Sequence, residues 1–326
     1  MKKQLAMFRQ LGLVLHFYLR FLPSFTQIGF VVRRLFWSSF KADFRGQHWL
    51  VTGGSGGLGR AVVYAALRGG ATVTVAARSA QKLEALIAEL AAAGLKGADT
   101  QCCDFTLVAE TEALIERLAA QGRPIDVFIN NVGVLNNELL VTREGLEASF
   151  VSNVLSHYQL TEGLIARGLL HSRSVVVNVT SGGGYHFPLL PAMLNVTDPS
   201  RYSGVAAYGF HKRAQMVLNR YWNNIHHDRG IVFYVMHPGW ADTAGVQRSL
   251  PRFRQLLKAI LRDSDAGADT IIWLVAHRPS QPADERVWFD RKIRPAHVYS
   301  HTRQSTENGE SLAKSLQNIL TEQRNS

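Results

Sequence analysis

Tyr208-Gly-Phe-His-Lys212 carries the sharpest chemistry in this 326-residue chain. At i,i+4 spacing a phenol and an ammonium share one face of a helix, an arrangement suited to exchanging a proton with a carbonyl or alcohol oxygen. A free phenol titrates near pH 10, too high for efficient exchange at neutrality, so the Lys212 ammonium is expected to draw the Tyr208 pKa down. Ser181 stands just past the apolar run Val175-Val-Val-Asn-Val179, where a hydroxyl can donate toward a developing alkoxide. Asn153 falls inside the apolar periodicity of residues 145–167 and, taken alone, reads as a packing or backbone-pairing residue. His211 and His237 read as packing residues. No His and carboxylate cluster has metal-ligand spacing, and no metal is expected.

These groups need strand ends and helix starts to bring them together. Val51-Thr-Gly-Gly-Ser-Gly-Gly-Leu-Gly59 follows a short apolar run and precedes a helix-compatible stretch. Such a turn can offer free backbone N–H groups to a pyrophosphate. Gly53 would relax the turn, Gly57 would admit the phosphates and Gly59 would let the helix pack closely; Ser55 and Leu58 lie among them. The spacing is G-x-x-x-G-x-G, and a flexible loop in some other α/β protein reads the same way. No Lys-Ser/Thr pair follows, which disfavours a nucleoside-triphosphate loop.

Beyond that turn, strands and helices alternate. Strands are expected at 47–51, 72–76, 99–103, 127–130, 174–179, 231–236 and 286–290, with helices between them. After the second strand stand Ala77 and Arg78, where an acidic residue would read the ribose of NAD(H). A guanidinium there suits a 2′-phosphate, so NADP(H) is the expected cofactor over NAD(H). Asn131 and Gly133 end the fourth strand, Asn131 able to tie neighbouring strand ends and Gly133 permitting close approach. Residues 182–207 hold Tyr185, Phe187, Leu189, Leu190, Met193 and Leu194, either the wall of a pocket for a hydrophobic small molecule or the cover of a core edge.

The composition fits a folded enzyme: 46% apolar and 19% charged residues. Cys102 and Cys103 are adjacent and are the sole cysteines, which excludes a disulfide framework and points to a reducing, cytoplasmic compartment. A net charge of +11 comes without finger-type ligands or a basic heptad region, so no nucleic acid is expected. Residues 1–45 lie ahead of the nucleotide fold, which is bounded at 46–299. On a helical projection Phe8, Leu11, Val14, Leu15, Tyr18, Leu19 and Leu22 share one side and Lys2, Arg9, His16 and Arg20 the other, with Pro23 expected to end or bend the helix. A second apolar run, Phe25-Thr-Gln-Ile-Gly-Phe-Val-Val32, stops at Arg33-Arg34, and neither run reaches the roughly 20 residues of a spanning helix. A peripheral anchor on an anionic membrane surface is expected, against packing on the chain's own domain or on a second subunit, and against a spanning or hairpin insertion. Residues 300–326 read as a polar tail with a helix at 311–322.

The set T-G-G-S-G-G-L-G, N-N-V-G, Asn153, Ser181, Y-G-F-H-K and H-P-G-W, in this order, resembles the short-chain dehydrogenase/reductase superfamily over residues 47–290. H-P-G-W-A-D-T-A-G-V, V-W-F-D-R-K and the N-terminal extension look like its member-twelve dehydrogenase/reductase subgroup. The long step from Ser181 to Tyr208 is similar to the enlarged loop of retinol and steroid dehydrogenase relatives. The resemblance implies a doubly wound α/β Rossmann fold, with a mostly parallel seven-stranded sheet, helices on both faces, and hydride transfer between nicotinamide and a carbonyl or alcohol. It implies phosphate contacts at Gly53, Gly57 and Gly59, an adenine-side role for Asp104, cofactor contacts at Asn131, Gly133, Pro238, Gly239 and Thr243, a water-linked relay at Asn153, carbonyl orientation by Ser181, proton transfer by Tyr208, and ribose and phenolate contacts by Lys212. A homodimer fits the same resemblance. Two rival functions share the motifs: a silent dinucleotide-binding scaffold, and a nucleotide-dependent epimerase or dehydratase, for which little chain remains after Met236.

Overall fold

The computed structural model describes residues 19–249, 251–280 and 285–325. Most of the helical projection over residues 8–22 lies outside them. The strands β1 (His48–Thr52), β2 (Thr72–Ala77), β3 (Ala98–Cys102), β4 (Ile125–Asn130), β5 (Leu170–Val179), β6 (Val232–Met236), β7 (Arg286–Phe289) and β8 (Lys292–Pro295) form one sheet in the order β3-β2-β1-β4-β5-β6-β7-β8. All neighbours pair in parallel except β7 with β8. The doubly wound fold is as expected, with one strand more than the expected seven. β8 reads Lys-Ile-Arg-Pro, too short and charged to announce itself. It returns through Asp290 and Arg291, both at positive φ (49° and 58°), the backbone of a two-residue hairpin turn usually signalled by Asn-Gly.

Side chains alternate across the central strands and both faces are buried. Leu50, Phe128, Val176 and Phe233 enter one core. Their neighbours Trp49, Val51, Val127, Ile129, Val175, Val177 and Tyr234 enter the other. Against the first face pack α4 (Val108–Gln121), α5 (148–166) and α6 (Gly204–Ile225); against the second pack α2 (Gly57–Arg68), α3 (Ala80–Ala92) and α9 (Ser264–His277). Helix α5 is interrupted: Ala148–Phe150 leads into a π turn, Val151–Leu155, and continues as Ser156–Ala166. Short helices α7 (Ala244–Ser249) and α8 (Pro251–Leu257) follow β6.

Both chain ends are drawn onto this body. The segment read as a polar tail forms α10 (Gly309–Asn325), whose Leu312, Ala313, Leu316 and Leu320 join the first core. Residues 19–25 are helical through Pro23, the break falls at Thr26, and α1 (Gln27–Arg34) follows. Phe25 is buried with Tyr185, Met216, Val287 and Phe289 in a third cluster. Asp290 holds this segment down. It accepts from Arg33 Nε at 2.6 Å and from Arg262 Nη1 and Nη2 at 2.6 and 2.9 Å, while Arg262 also donates to the carbonyls of Ser24 and Phe25. The described part of the extension therefore packs on its own domain.

Candidate active site

The sheet order reverses direction between β1 and β4, and ligands of open α/β sheets bind at the carboxyl ends of strands beside such a switch point. Asn131 joins the two strand ends: its Nδ2 donates to Thr52 O at 2.8 Å and its backbone N–H donates to Thr52 Oγ1 at 2.9 Å. Gly53 sits at φ +67°, as its turn requires, and a Cβ on Gly59 would stand 2.4 Å from Gly53 O. These two glycines and Asn131 form one tight corner. Gly57, also at positive φ (+50°), faces Thr243, whose Cγ2 is 3.6 Å from the place its Cβ would occupy. Leu58 is buried, its Cδ1 against Gly267, and Ser55 is half-buried.

Gly56 bears on what this corner holds. Its backbone is extended (φ −167°) and a Cβ there would meet no atom of the described residues within 4 Å, so nothing among them demands glycine at that position. It caps the N-terminus of α2, where no side chain takes the free N–H groups. A cradle of bare backbone N–H groups fits a dinucleotide pyrophosphate. Arg78 is exposed at the end of β2, and the Asp104 carboxylate, next to β3, accepts from Thr106 N and Oγ1. Pro238 and Gly239 are engaged elsewhere: Pro238 O accepts from Arg262, and a Cβ on Gly239 (φ +77°) would strike Arg262 Nε at 2.6 Å.

The four residues of the chemical motif converge. β5 delivers Ser181, α6 delivers Tyr208 and Lys212, and the π turn of α5 delivers Asn153. Ser181 and Tyr208 are half-buried, whereas Lys212 and Asn153 are sealed behind them. Ser181 hydrogen-bonds Tyr208, and Lys212 Nζ lies 5.4 Å from the centroid of the Tyr208 ring. Thr180 Oγ1 donates to Lys212 O at 2.7 Å, fixing α6 against the end of β5. Asn153 clasps Val134, accepting its N–H at 2.8 Å and donating to its carbonyl at 2.7 Å. That clasp carries the chain leaving β4 past Gly133, where a Cβ would come within 3.3 Å of both Lys212 Nζ and Asn153 Oδ1.

Electrostatically the chain alone differs from the expectation. Burial raises the Tyr208 pKa, and the hydrogen bond with Ser181 opposes the rise. Lys212 does not draw it down, because burial pushes Lys212 itself down to about 7, leaving a partial charge at neutrality. Its Nζ donates to Val179 O at 3.0 Å and Gln215 Oε1 at 3.1 Å.

Sequence reasoning passed over Gln215. Its Nε2 donates to Asn153 O at 2.7 Å and approaches His157 Nδ1 at 3.2 Å. Thus Gln215 occupies the carbonyl of Asn153, the residue expected to take part in a water-linked relay. His157 is held neutral, its pKa lowered to about 3 by burial, and its Nε2 pairs with Val132 O. His211, lowered to about 4 by burial, bridges Leu194 O and Asn153 Nδ2. His237 stacks on Phe289 with 4.2 Å between ring centroids. The signal for Gln215 was its i+3 position from Lys212, on the same helix face.

The long loop before Tyr208 divides its residues. Tyr185, Leu189 and Leu194 are buried core, so that part covers a core edge. Leu190 remains exposed, as do Leu140 and Val141 on the segment that Tyr202 ties to the start of α6 through its bond to Asn136 O. A cavity of about 390 Å³ lined by Arg213, Arg220 and Glu285 includes none of the four motif residues.

A model of the short chain dehydrogenase family matches residues 47–194. The bovine dehydrogenase/reductase SDR family member 12 is 34% identical over 282 residues, covering 84% of this chain and 86% of that protein. The chain belongs to the short-chain dehydrogenase/reductase family. The human protein of the same description is 33% identical, covering 78% of this chain and 79% of its own length. Mouse retinol dehydrogenase 12 is 26% identical, with 74% and 77% covered. Among solved structures, a short chain dehydrogenase from Burkholderia cenocepacia J2315 in complex with NADP superposes with a TM-score of 0.57 at 22% identity, covering 72% of this chain and 91% of that one; this likeness speaks to the fold. As a family member the chain is an oxidoreductase of carbonyl and alcohol groups.

Proposed function

We propose that this short-chain dehydrogenase/reductase is an NADP(H)-dependent enzyme that interconverts a carbonyl and an alcohol on a hydrophobic substrate. The observation that carries the reading is the pair of hydrogen-bonded hydroxyls, Ser181 and Tyr208, half-buried at the carboxyl edge of the sheet with Lys212 buried behind them.

In the reducing direction the substrate oxygen rests between Ser181 and Tyr208. Ser181 donates a hydrogen bond that strengthens as negative charge grows on that oxygen. Tyr208 gives up its phenolic proton to the same oxygen, leaving a phenolate with the partly charged Lys212 behind its ring. NADP(H), when bound, supplies or takes up the hydride. Gln215 and Val179 O hold Lys212 in place, and Asn153 O in turn accepts from Gln215. Arg78, with no acidic residue beside it in the Ala77-Arg78-Ser79 turn, favours the 2′-phosphate, and the NADP bound in the Burkholderia structure accords with this choice. Exposed Leu140, Val141 and Leu190 suit an apolar substrate.

The test is NADPH oxidation by wild type, Tyr208→Phe and Ser181→Ala against ketosteroids, retinal and medium-chain aldehydes. Tyr208→Phe is expected to lose about 100-fold or more in kcat, and equal activity would end the reading. Arg78→Ala should raise KM for NADPH and leave that for NADH; an unchanged ratio would reject the cofactor assignment.

A further inference from the structure

Helix α1 is apolar on both sides. Thr26, Gly29 and Phe30 face the domain and are buried. Ile28, Val31, Val32, Leu35 and Phe36 recur at i, i+3, i+4, i+7 and i+8, one helix face, and stand between 48% (Val31) and 84% (Phe36) exposed. Isolated surface apolar residues are ordinary, but a contiguous stripe asks for a covering partner.

Charge decides among the partners. The first acidic residue of the chain is Asp43, and residues 1–42 hold Lys2, Lys3, Arg9, Arg20, Arg33, Arg34 and Lys41. Arg33 is taken by Asp290, while Arg20, Arg34 and Lys41 are exposed around the stripe. A second copy laid face to face would bring Arg34 toward Arg34. Residues 1–18 are likewise basic and acid-free. An interface whose core is hydrocarbon and whose rim is negative complements both features.

We infer that the outer face of α1, continued by Leu35 and Phe36, seats this protein in the surface of an anionic lipid bilayer. No helix among the described residues is long and apolar enough to cross a membrane; the chain lies on the bilayer. The seat is also joined rigidly to the catalytic edge. Phe25, two residues before α1, lies against Gly182, where a Cβ would stand 2.7 Å from its Cε2, and Gly182 follows Ser181. Asp290 bridges Arg33 of the seat to Arg262 of the body. Resting on the function proposed above, the seat holds the Ser181–Tyr208 edge at a fixed place relative to the bilayer and favours carbonyl substrates dissolved in it.

The experiment is co-sedimentation of the full chain with phosphatidylcholine vesicles, with and without phosphatidylserine, comparing wild type with the double variant Leu35→Ser, Phe36→Ser. Both residues lie past the end of α1 and are largely exposed, so folding is not at stake; Val31→Ser serves as an independent second variant. Wild type is expected to sediment with the phosphatidylserine vesicles, less so as salt rises, and the double variant to bind about ten-fold more weakly or worse. Failure of wild type to sediment, or equal sedimentation of the variants, overturns the inference. So does a wild-type dimer that the variants dissociate, since the stripe is then an interface between copies. In the same preparations, the variants should keep wild-type turnover of a water-soluble aldehyde and show a raised KM for a carbonyl delivered in vesicles. Loss of NADPH turnover by wild type would defeat the catalytic reading and leave the sedimentation result standing.

Discussion

Lys212 Nζ and Gln215 Oε1 are 3.1 Å apart, and through Gln215 Nε2 the same amide reaches the Asn153 carbonyl at 2.7 Å. One neutral side chain thus connects the buried cation to the helix that carries the buried asparagine. The other titratable groups about Lys212 are Tyr208, beneath its ammonium, and the neutral His157 and His211, the latter with Glu147 4.0 Å beyond it.

Replacing that amide separates positioning from bulk packing. Gln215→Leu should lower kcat about ten-fold or more while KM for NADPH moves less. Gln215→Glu would place a carboxylate beside the ammonium, favour the charged form and raise the Lys212 pKa by about one unit or more. The limb of the pH–rate profile set by Lys212 then moves to higher pH. An unmoved profile in Gln215→Glu would leave Gln215 with a packing role only.

Lys212 also leaves a mark on stability. Its pKa falls from 10.5 to about 7 on burial, so between those values the unfolded chain binds more protons than the folded one. Stability from this group therefore rises with pH through that window and is at its minimum below pH 7, where both states are charged. Urea unfolding of wild type at pH 7 and pH 9.5 should show this gain, and Lys212→Met should lack it. Parallel pH dependences in the two proteins would contradict the burial of a free ammonium.

The glycine corner offers a pair of contrasting substitutions. Gly59→Ala puts a methyl 2.4 Å from a backbone oxygen, an overpacking expected to cost about 1–3 kcal/mol in thermal or urea unfolding. Gly56→Ala meets no atom of the described residues and should melt as wild type does. If the dinucleotide occupies that space, Gly56→Ala still weakens NADPH binding about ten-fold or more, because even a loss of about 1.4 kcal/mol has that effect. Fluorescence titration with NADPH distinguishes the two.

Asp290 balances two arginines, one of them fully buried. Asp290→Asn removes the shared negative charge and should destabilise the fold by about 3–5 kcal/mol. It should also expose residues 19–34 to limited proteolysis before the sheet is cut. Simultaneous cleavage everywhere would show that the N-terminal segment is not a separate layer held by this clamp.

Much of the site was legible because its chemistry needs fixed intervals: Tyr208 to Lys212 is one helical turn, and Ser181 marks a strand end by following five apolar-run residues. Strand faces were legible because alternation at β1, β4, β5 and β6 fills two cores. What escaped depended on partners distant in sequence. Gln215 gains its role from Asn153, 62 residues away. β8 forms on a Lys-Ile-Arg-Pro stretch only because β7 offers an edge, and residues 19–34 dock only because Arg262 and Asp290 wait more than 200 positions later. The residue ties at Pro238 and Gly239 had the same origin: Arg262 could not be foreseen reaching their turn.

The π turn at Val151–Leu155 sets the angular position of Asn153. Such a turn accommodates one residue more than the regular helix does, and each residue of an α-helix rotates the next by about 100°. A chain shortened by one residue before Asn153 could wind α5 as an unbroken cylinder, gaining regular bonding, yet the asparagine would swing away from Val134 and Gln215. The irregular segment therefore opposes two pressures, and a version of this protein selected only for thermal endurance would tend to straighten that helix at the expense of turnover.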